Sequence, residues 1–347
     1  MRRAMTAVIA LAAVATAAGA DARPREDVMD MHRAAVVFDG HCDTAGRLGR
    51  REPVDLGERL EDGHMDLPRM AEGGLDAQIF ACWINPDYPE GEYIQRTLRM
   101  IDGIHETARA HPDRIEVALT GADVGRIVGS GRVAAVIGIE GGHAIVDDIR
   151  VLRQYHRLGV RCMTLTWNNT NNWADSANDT TRWNGLNDLG LAVVDEMDRL
   201  GMVIDLSHVS DSTFFDVLER TAHPVLVSHS CMRALCDIPR NISDDMLRTL
   251  AGNGGVVCVN FFAGFLDKDY FERVSTLWDE MRARRKKLTA LYGGDMEKAW
   301  ETLWPEYRER IDGIPLPDVA RLVDHIDHAV GIVGVDHVGL GSDFDGI

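Results

Sequence analysis

The sequence predicts an α/β fold, a (β/α)8 TIM-like barrel, from three observations. Short apolar runs rich in Val, Ile and Leu recur eight times, and such continuous runs are typical of parallel strands buried on both faces. Most gaps between the runs carry helical periodicity, and alternation of strand and helix favours a parallel sheet. Several runs end in His, Asp or Glu, and the catalytic residues of barrels sit at the carboxyl ends of strands. An open doubly wound sheet is the alternative.

The predicted strands are spaced so that one barrel accounts for all of them. They cover residues 35–39, 75–83, 133–139, 160–166, 202–207, 224–228, 255–262 and 337–342. Residues 267–311 are highly charged with apolar residues at helical spacing, which predicts a helical insertion between strands 7 and 8, broken at Gly293–Gly294. The chain stops at Ile347, directly after the last strand. We therefore expect the C-terminal helix of the barrel to be missing, as in a truncated chain.

Residues 1–20 have the pattern of a secretory signal peptide. Arg2 and Arg3 precede a short apolar stretch, and small residues follow it around Ala20. We therefore expect an exported protein, periplasmic or secreted, in which residues 21–347 form a single (β/α)8 metallohydrolase domain. An uncleaved anchor is the alternative, although the apolar stretch is short for a membrane span of about 20 residues.

Charge and cysteine content narrow the partners. The net charge of −18 argues against nucleic acid or an anionic membrane as a partner. We expect a small-molecule substrate and no membrane span after the leader, and we keep a homodimer open as the assembly. The six cysteines include no CxxC pair, so a thiolate zinc site is not expected, and the sequence defines no disulfide pairing.

Five residues at the ends of predicted strands have side chains that bind divalent metals. They are His41, Asp43, Glu140, His208 and His229. Residues two apart in a strand point to the same side, so His41 and Asp43 can reach one ion. Catalytic zinc usually takes three protein ligands plus water, and two ions that share Glu140 would use the whole set. The His-rich set favours zinc, while manganese and cobalt also suit such ligands.

Asp343 lies at the end of the last predicted strand, outside this set of ligands. We expect it to be the proton shuttle, which takes a proton from water and returns it to the leaving amine. The alternative for Asp343 or Asp345 is a metal ligand or a residue that orients one.

At these residues the chain resembles the renal (membrane) dipeptidase family of binuclear zinc peptidases. The matching segments are "DGHCDT", "GIEGGHAI", "LTW…NNWADSAND", "GLNDLG", "GMVIDLSHVS", "PVLVSHS", "RNISDDML" and "VGLGSDFDG". Their order and spacing match the family over roughly residues 36–346. The resemblance implies a (β/α)8 barrel that holds two zinc ions per chain.

The resemblance also implies a role for each predicted ligand. One zinc ion would be bound by His41 and Asp43. The other would be bound by His208 and His229, and Glu140 would bridge the two ions.

Two further residues are assigned by the same resemblance. Asp343 matches the acid/base residue of the family. Arg240 matches the arginine that holds the C-terminal carboxylate of the substrate, a bidentate task that suits a guanidinium fork.

Trp167 departs from the family, which commonly has "LTH" where this chain has "LTW". The family's His binds and polarises the scissile carbonyl oxygen, whereas an indole offers only an N–H donor. Loss of one such donor can cost about 10²–10³-fold in rate. We expect Trp167 and Asn168 to contact the substrate, with Asn168, Asn169 or Asn172 as the replacement donor.

The sequence is consistent with three functions. The first is an exported binuclear zinc dipeptidase, in which a metal-bridging hydroxide attacks the single amide bond of a dipeptide. The second is a related metal-dependent amidohydrolase that acts on a lactam, a lactone or an acyl amino acid, and Trp167 motivates it. The third is a metal-binding barrel without catalysis.

Overall fold

Eight parallel strands close into a barrel in the computed structural model, which describes residues 26–347. With one further strand, β3, the sheet has nine strands, which are β1 (Phe38–Cys42), β2 (Ala77–Trp83), β3 (Ile115–Val117), β4 (Val133–Glu140), β5 (Val160–Thr164), β6 (Val203–Asp205), β7 (Leu226–Ser230), β8 (Val256–Val259) and β9 (Val338–Leu340). Strand β2 pairs with β4, β9 pairs with β1, and β3 pairs only with the first half of β4, outside the closed ring. The predicted (β/α)8 barrel is confirmed.

Helices cover the outside of the barrel. They are α1 (Glu26–Ala34), α2 (Ala45–Leu48), α3 (Leu67–Gly73), α4 (Glu90–Ala110), α5 (Gly121–Val128), α6 (Ile149–Arg157), α7 (Asp188–Leu200), α8 (Asp211–Arg220), α9 (Asp244–Asn253), α10 (Ala263–Leu266), α11 (Lys268–Leu291), α12 (Met296–Asp312) and α13 (Val319–Val333). Side-chain caps fix several of their starts, as where Ser210 Oγ accepts a hydrogen bond from Thr213 N at 3.2 Å. The apolar core lies between this layer and the strands, with Trp173, Tyr155 and Phe214 fully buried.

The predictions for β1 and β3 differ from the structure. The first strand begins at Phe38 rather than at residue 35, and it continues through His41 and Cys42. It runs further because both β2 and β9 pair with it, so polar residues lie inside the strand. The sequence did not predict β3, because Glu116 interrupts its apolar residues and no continuous apolar run marks the strand.

The seam between β9 and β1 joins residues from the two ends of the described chain. Asp39 pairs with Leu340 in parallel register. Ser342 Oγ donates a hydrogen bond to Asp39 Oδ2 at 2.6 Å, between residues 303 positions apart. Asp343 N donates to the carbonyl oxygen of His41 at 3.0 Å. These bonds hold the end of β9 beside the end of β1.

The predicted helical insertion is the pair α11 and α12 between β8 and β9. The chain turns between them at Gly293 and Gly294, whose φ angles of 67° and 98° suit glycine. The two helices share a small core of their own around Met281, Leu303 and Tyr307.

The predicted signal peptide, residues 1–20, lies outside the described residues. Within residues 26–347, no helix combines the length and the apolar character that crossing a bilayer requires. All six cysteines are buried free thiols, so none of them forms a disulfide in this structure.

Candidate metal centre

Six chemically active side chains meet at the carboxyl end of the barrel. They are His41 in β1, Asp43 just after it, Glu140 at the end of β4, His208 after β6, His229 in β7 and Asp343 after β9. Parallel strands place their carboxyl ends on one face, which explains why residues so distant in sequence converge. The structure therefore brings together all the metal ligands that the sequence predicts, together with the predicted proton shuttle.

Glu140 lies in the middle of this group. Its Oε1 atom is 2.8 Å from His208 Nε2 and 3.5 Å from His229 Nε2. Its Oε2 atom is 3.6 Å from His41 Nε2. One carboxylate thus faces imidazoles on two sides, which is the arrangement needed to bridge two cations.

Two subsets flank Glu140. The carboxylate half consists of His41, Asp43 and Asp343, whose potential ligand atoms all lie within 4.8 Å of one another. The imidazole half consists of His208 and His229, whose Nε2 atoms are 2.8 Å apart. Asp343 therefore lies close enough to be a ligand as well as a proton carrier, and the geometry leaves both predicted roles open.

The charges in the carboxylate half depend on one another. Burial disfavours a charged His41, but the carboxylates of Glu140, Asp43 and Asp343 outweigh burial and raise the pKa of His41 to about 10. Burial also favours a neutral Glu140, yet His41 and His208 hold the pKa of Glu140 well below its usual range. His41 is therefore protonated and Glu140 ionised at neutral pH when no cation is present.

The imidazole half has the opposite character. Burial and the charge of Arg240 lower the pKa of His208 to about 4. Burial, with His41 and His208 nearby, lowers the pKa of His229 well below its usual value. Both rings are neutral at pH 7, so each offers a lone pair to a metal ion without first losing a proton.

Asp343 has the environment of a proton carrier. Burial raises its pKa to about 6 against the opposing charge of His41, and Glu140 adds to the rise. Asn260 Nδ2 donates to Asp343 Oδ2 at 2.9 Å, and the carboxyl group of Asp43 faces the same side chain. The φ angle of Asp343 is 62°, in the left-handed region that non-glycine residues rarely adopt, and such strain is concentrated at functional sites.

His229 is oriented by a buried hydrogen-bond chain. Its Nδ1 atom is 2.8 Å from Ser228 Oγ, and Ser228 Oγ donates to Asp205 Oδ2 at 2.6 Å. Asp205 also accepts hydrogen bonds from Ser207 N and from Thr164 Oγ1. When His229 Nε2 binds a cation, its Nδ1 carries the hydrogen and donates it to Ser228, which fixes the ring's tautomer and direction.

His208 is oriented by an amide instead. Asn168 Oδ1 is 3.0 Å from His208 Nδ1 and accepts a second hydrogen bond from Asn178 Nδ2 at 3.0 Å. The backbone of His208 is strained, with φ of 68°. The sequence predicts that Asn168 contacts the substrate; the structure places its carbonyl oxygen against a ring of the imidazole half.

Arg240 is buried beside the same centre, with 4% of its surface exposed. Its Nη1 donates to Ser230 Oγ and its Nη2 to the carbonyl oxygen of His229, both at 3.3 Å. Its Nε is buried and has no hydrogen-bond partner among the described residues. Burial lowers the pKa of Arg240 to about 10, so the guanidinium is charged at neutral pH and can receive an anion.

Trp167 lies at the mouth of the barrel. The centroid of its ring system is 4.9 Å from that of Trp83 and 6.3 Å from that of His208. Of the other replacement donors considered, Asn172 Nδ2 is occupied by Asp147 at 2.7 Å. Asn169 has a buried Oδ1 atom without a partner among the described residues.

Four residues of the site were missed by the sequence reasoning. They are Asp205, Ser228, Asn260 and Gly346. A polar residue inside each apolar run, as in "VIDLSH" and "VLVSHS", is the signal that could have identified the first two. At Gly346 a Cβ atom would lie 2.1 Å from Asp43 Oδ2 and 2.5 Å from Asp343 Oδ1, so a larger residue would displace these carboxylates.

The donor set fits divalent metal ions. His41 Nε2 and Asp43 Oδ1 are buried without a hydrogen bond from any described residue, which is costly unless a cation completes them. Imidazole nitrogen and carboxylate oxygen are the ligand types that zinc and related metals take. The close approach of the Nε2 atoms of His208 and His229 to each other also suits a shared cation.

Comparison with protein families matches almost the whole chain. A family model described as "Membrane dipeptidase (Peptidase family M19)" covers residues 25–347.

Curated relatives are also dipeptidases by name. Dipeptidase aclJ of Aspergillus oryzae is 36% identical over 296 residues, which are 82% of this chain and 60% of that protein. Dipeptidase 3 of Mus musculus is 31% identical over 335 residues, which are 94% of this chain and 58% of that protein. The chain therefore spans about 60% of the length of these relatives.

Solved structures share the architecture. The probable dipeptidase PvdM from Pseudomonas aeruginosa superposes with a TM-score of 0.73 at 26% identity, covering 92% of this chain and 86% of that one. A metallo peptidase from Rhodobacter sphaeroides, liganded with a phosphinate mimic of the dipeptide L-Ala-D-Ala, gives 0.71 at 27% identity, covering 90% and 86%.

Proposed function

The chain belongs to the membrane dipeptidase family, Peptidase family M19, and we propose that it is a metal-dependent dipeptidase that hydrolyses the amide bond of dipeptides. The observation that carries the proposal is the position of Glu140 between two sets of potential ligands, within 3.6 Å of three imidazoles. A barrel with a purely structural role has no use for so many buried, incompletely paired donors at one face.

We propose two zinc ions as the cofactor. His41 and Asp43 would hold one, His208 and His229 the other, and Glu140 would bridge them. When bound, two such ions supply Lewis-acid stabilisation of developing negative charge and a hydroxide nucleophile at neutral pH.

The chain's own residues provide substrate binding and proton transfer. The guanidinium of Arg240 would hold the C-terminal carboxylate of the dipeptide, and its buried Nε, which has no hydrogen-bond partner within residues 26–347, supports a ligand at this place. Asp343 would accept a proton at Oδ1 and return it to the leaving amine, since Asn260 occupies Oδ2. A pKa near 6 lets Asp343 be a base at neutral pH and an acid once loaded.

We also propose that the protein is exported. The basic start and apolar stretch of residues 1–20 support removal of a leader after Ala20 or Ala22. Retention of the leader in the protein recovered from cells would contradict this.

Trp167 favours a second candidate function, hydrolysis of another small amide or ester. The indole lies 6.3 Å from the His208 ring and offers no lone pair to the site. Under this candidate the same metal centre and proton carrier act on a lactam, a lactone or an acyl amino acid.

A substrate panel tests both candidates. Zinc-replete protein is incubated with L,L-dipeptides, with L-Ala-D-Ala, and with N-acyl amino acids and lactones, and amine or acid release is measured. We expect turnover of dipeptides that disappears on chelation and returns with zinc. Turnover of the acyl or lactone set alone would favour the second candidate, and zinc binding with no turnover would contradict both.

A further inference from the structure

Trp83 and Trp167 form an aromatic wall on one side of the barrel mouth. We propose that this wall contacts the side chain of the N-terminal residue of the dipeptide and selects large apolar residues there. The inference rests on the proposed function and concerns which dipeptides the site prefers.

The wall lies directly beside the metal centre. Trp83 ends β2 and Trp167 follows β5, so the two residues flank β4, whose last residue is Glu140. Their ring centroids are 4.9 Å apart at an interplanar angle of 53°, and the Trp167 ring is 6.3 Å from that of His208. Both indoles are half-buried, so part of each remains open to a ligand at the mouth.

Arg240 fixes the direction in which a dipeptide would lie. Its guanidinium contacts Ser230 and the His229 carbonyl at the end of β7, and it lies 5.0 Å from the Phe265 ring, which follows β8. Strand β7 stands three strands from β4 through β6 and β5 and five strands from it through β8, so Arg240 lies across the barrel mouth from the wall rather than beside it. A dipeptide with its carboxylate on Arg240 and its amide bond over Glu140 therefore directs its N-terminal residue toward the aromatic wall.

The surroundings hold the wall in place. Ser176 Oγ donates to the carbonyl oxygen of Trp167 at 2.6 Å, which fixes the backbone beneath that ring. A Cβ atom at Gly141 would lie at the ordinary contact distance of 3.4 Å from Trp167 Cβ, so the Trp167 side chain begins directly beside the end of β4. The Trp83 Nε1 donor is buried and has no acceptor among the described residues, as expected where a ligand completes the site.

The chemistry of the wall determines the preference. Indole faces bury apolar surface and interact favourably with other aromatic rings. One methylene in an apolar substrate pocket is worth about 10-fold or more in kcat/KM. A large apolar or aromatic N-terminal residue should therefore outcompete glycine, whereas the C-terminal side chain points away from the wall.

The test is a comparison of kcat/KM for Xaa-Ala and Ala-Xaa dipeptides with zinc-replete full-length protein. We expect Phe-Ala and Leu-Ala to exceed Gly-Ala by about 10-fold or more, with a smaller spread across the Ala-Xaa series. In Trp167→Ala the advantage of Phe-Ala over Gly-Ala should fall by about 10-fold, and Trp167→Phe should restore most of it.

A matched control separates the wall from a general effect of losing an indole. Trp300 stacks on Trp304 in the helical insertion, with the two ring centroids 5.0 Å apart, and it is remote from the barrel strands. Trp300→Ala should therefore preserve the substrate preference. Dipeptide turnover without an N-terminal preference, or a preference that survives in folded, zinc-loaded Trp167→Ala, overturns the inference alone. Absence of turnover for every dipeptide overturns the proposed function and this inference together.

Discussion

The two halves of the metal centre are prepared in different ways. In the imidazole half, His208 contacts Asn168 and His229 contacts Ser228, which in turn donates to the carboxylate of Asp205. In the carboxylate half, His41 Nε2 and Asp43 Oδ1 are buried without a hydrogen bond from any described residue. One half is oriented by neighbouring side chains, and the other retains unsatisfied polar atoms.

The two halves therefore differ in how much must change when a cation binds. Neutral, hydrogen-bonded rings are ready to bind a cation and need little rearrangement. In the carboxylate half, the protonated ring of His41 offsets the negative charge of the neighbouring carboxylates. A cation that binds there must therefore displace a proton. Three experiments separate these contributions.

The largest effect is expected from Glu140→Gln, because Glu140 contacts both halves. An amide of the same shape loses the charge that two cations would share, so we expect metal content to fall and kcat/KM to drop by at least about 10³-fold. Metal analysis and dipeptide kinetics measure this.

Glu196→Gln is the matched control for that substitution. Glu196 pairs with Arg153 of α6 and Arg199 of α7, between these two outer helices and away from the metal centre, so the substitution should leave metal content and activity intact. Full metal loading of Glu140→Gln would contradict the central position that we assign to Glu140.

A smaller, one-sided effect is expected from Ser228→Ala. Loss of the hydroxyl cuts the chain from His229 Nδ1 to Asp205, and such outer contacts typically change metal affinity by about 10–100-fold. We expect the imidazole half to lose affinity while the carboxylate half keeps its own, as resolved by cadmium NMR or by stepwise metal titration.

Ser342→Ala provides the comparison across the centre. It removes an equally buried hydroxyl that donates to Asp39 but contacts no ring nitrogen. Equal loss of affinity by the imidazole half in the two variants would argue that general destabilisation, rather than orientation of His229, causes the change.

The subtlest difference is in proton release. With a pKa of about 10, His41 is protonated at pH 7 and must lose that proton when a cation binds Nε2. Burial and the charge of Glu140 also raise the pKa of Asp43 well above its usual value. Metal affinity of the carboxylate half should therefore rise by about tenfold or more per pH unit until the pH reaches the pKa of His41. The imidazole half should release no proton at neutral pH, because His208 has a pKa of about 4 and that of His229 is also lowered.

Calorimetry in two buffers of different ionisation enthalpy counts the protons released by each binding step. His41→Asn has no ring proton to lose, so its proton release should be smaller by one. Equal release from both binding steps would contradict the assignment of charge to the two halves.

The barrel was predictable from sequence because its strands are apolar runs. A buried parallel strand can be recognised from its own continuous apolar run. The helical insertion was likewise predictable from a local pattern, the helical spacing of its apolar residues. The start of β1 was misplaced because pairing with β2 and β9, rather than local composition, decides where that strand begins. Strand β3 exists only through its pairing with the start of β4.

The potential ligands were predictable because His, Asp and Glu stand out at the ends of apolar runs. Their supporting residues were not, since Ser228 and Asn260 are common residue types whose importance comes from tertiary contacts. Asn168 is a further example. Its place beside Trp167 predicts a substrate contact, which stays a prediction, and its carbonyl oxygen lies against His208, 40 positions away, which the sequence did not predict.

The seam between β9 and β1 has a consequence for the order of assembly during synthesis. Glu140, both rings of the imidazole half and the side chains that orient them lie within residues 140–229, on consecutive strands and their loops. The carboxylate half needs Asp343, which is placed by bonds spanning about 300 positions of the chain. A ribosome therefore releases one half of the centre long before the other can form, and only a closed barrel brings the two halves together.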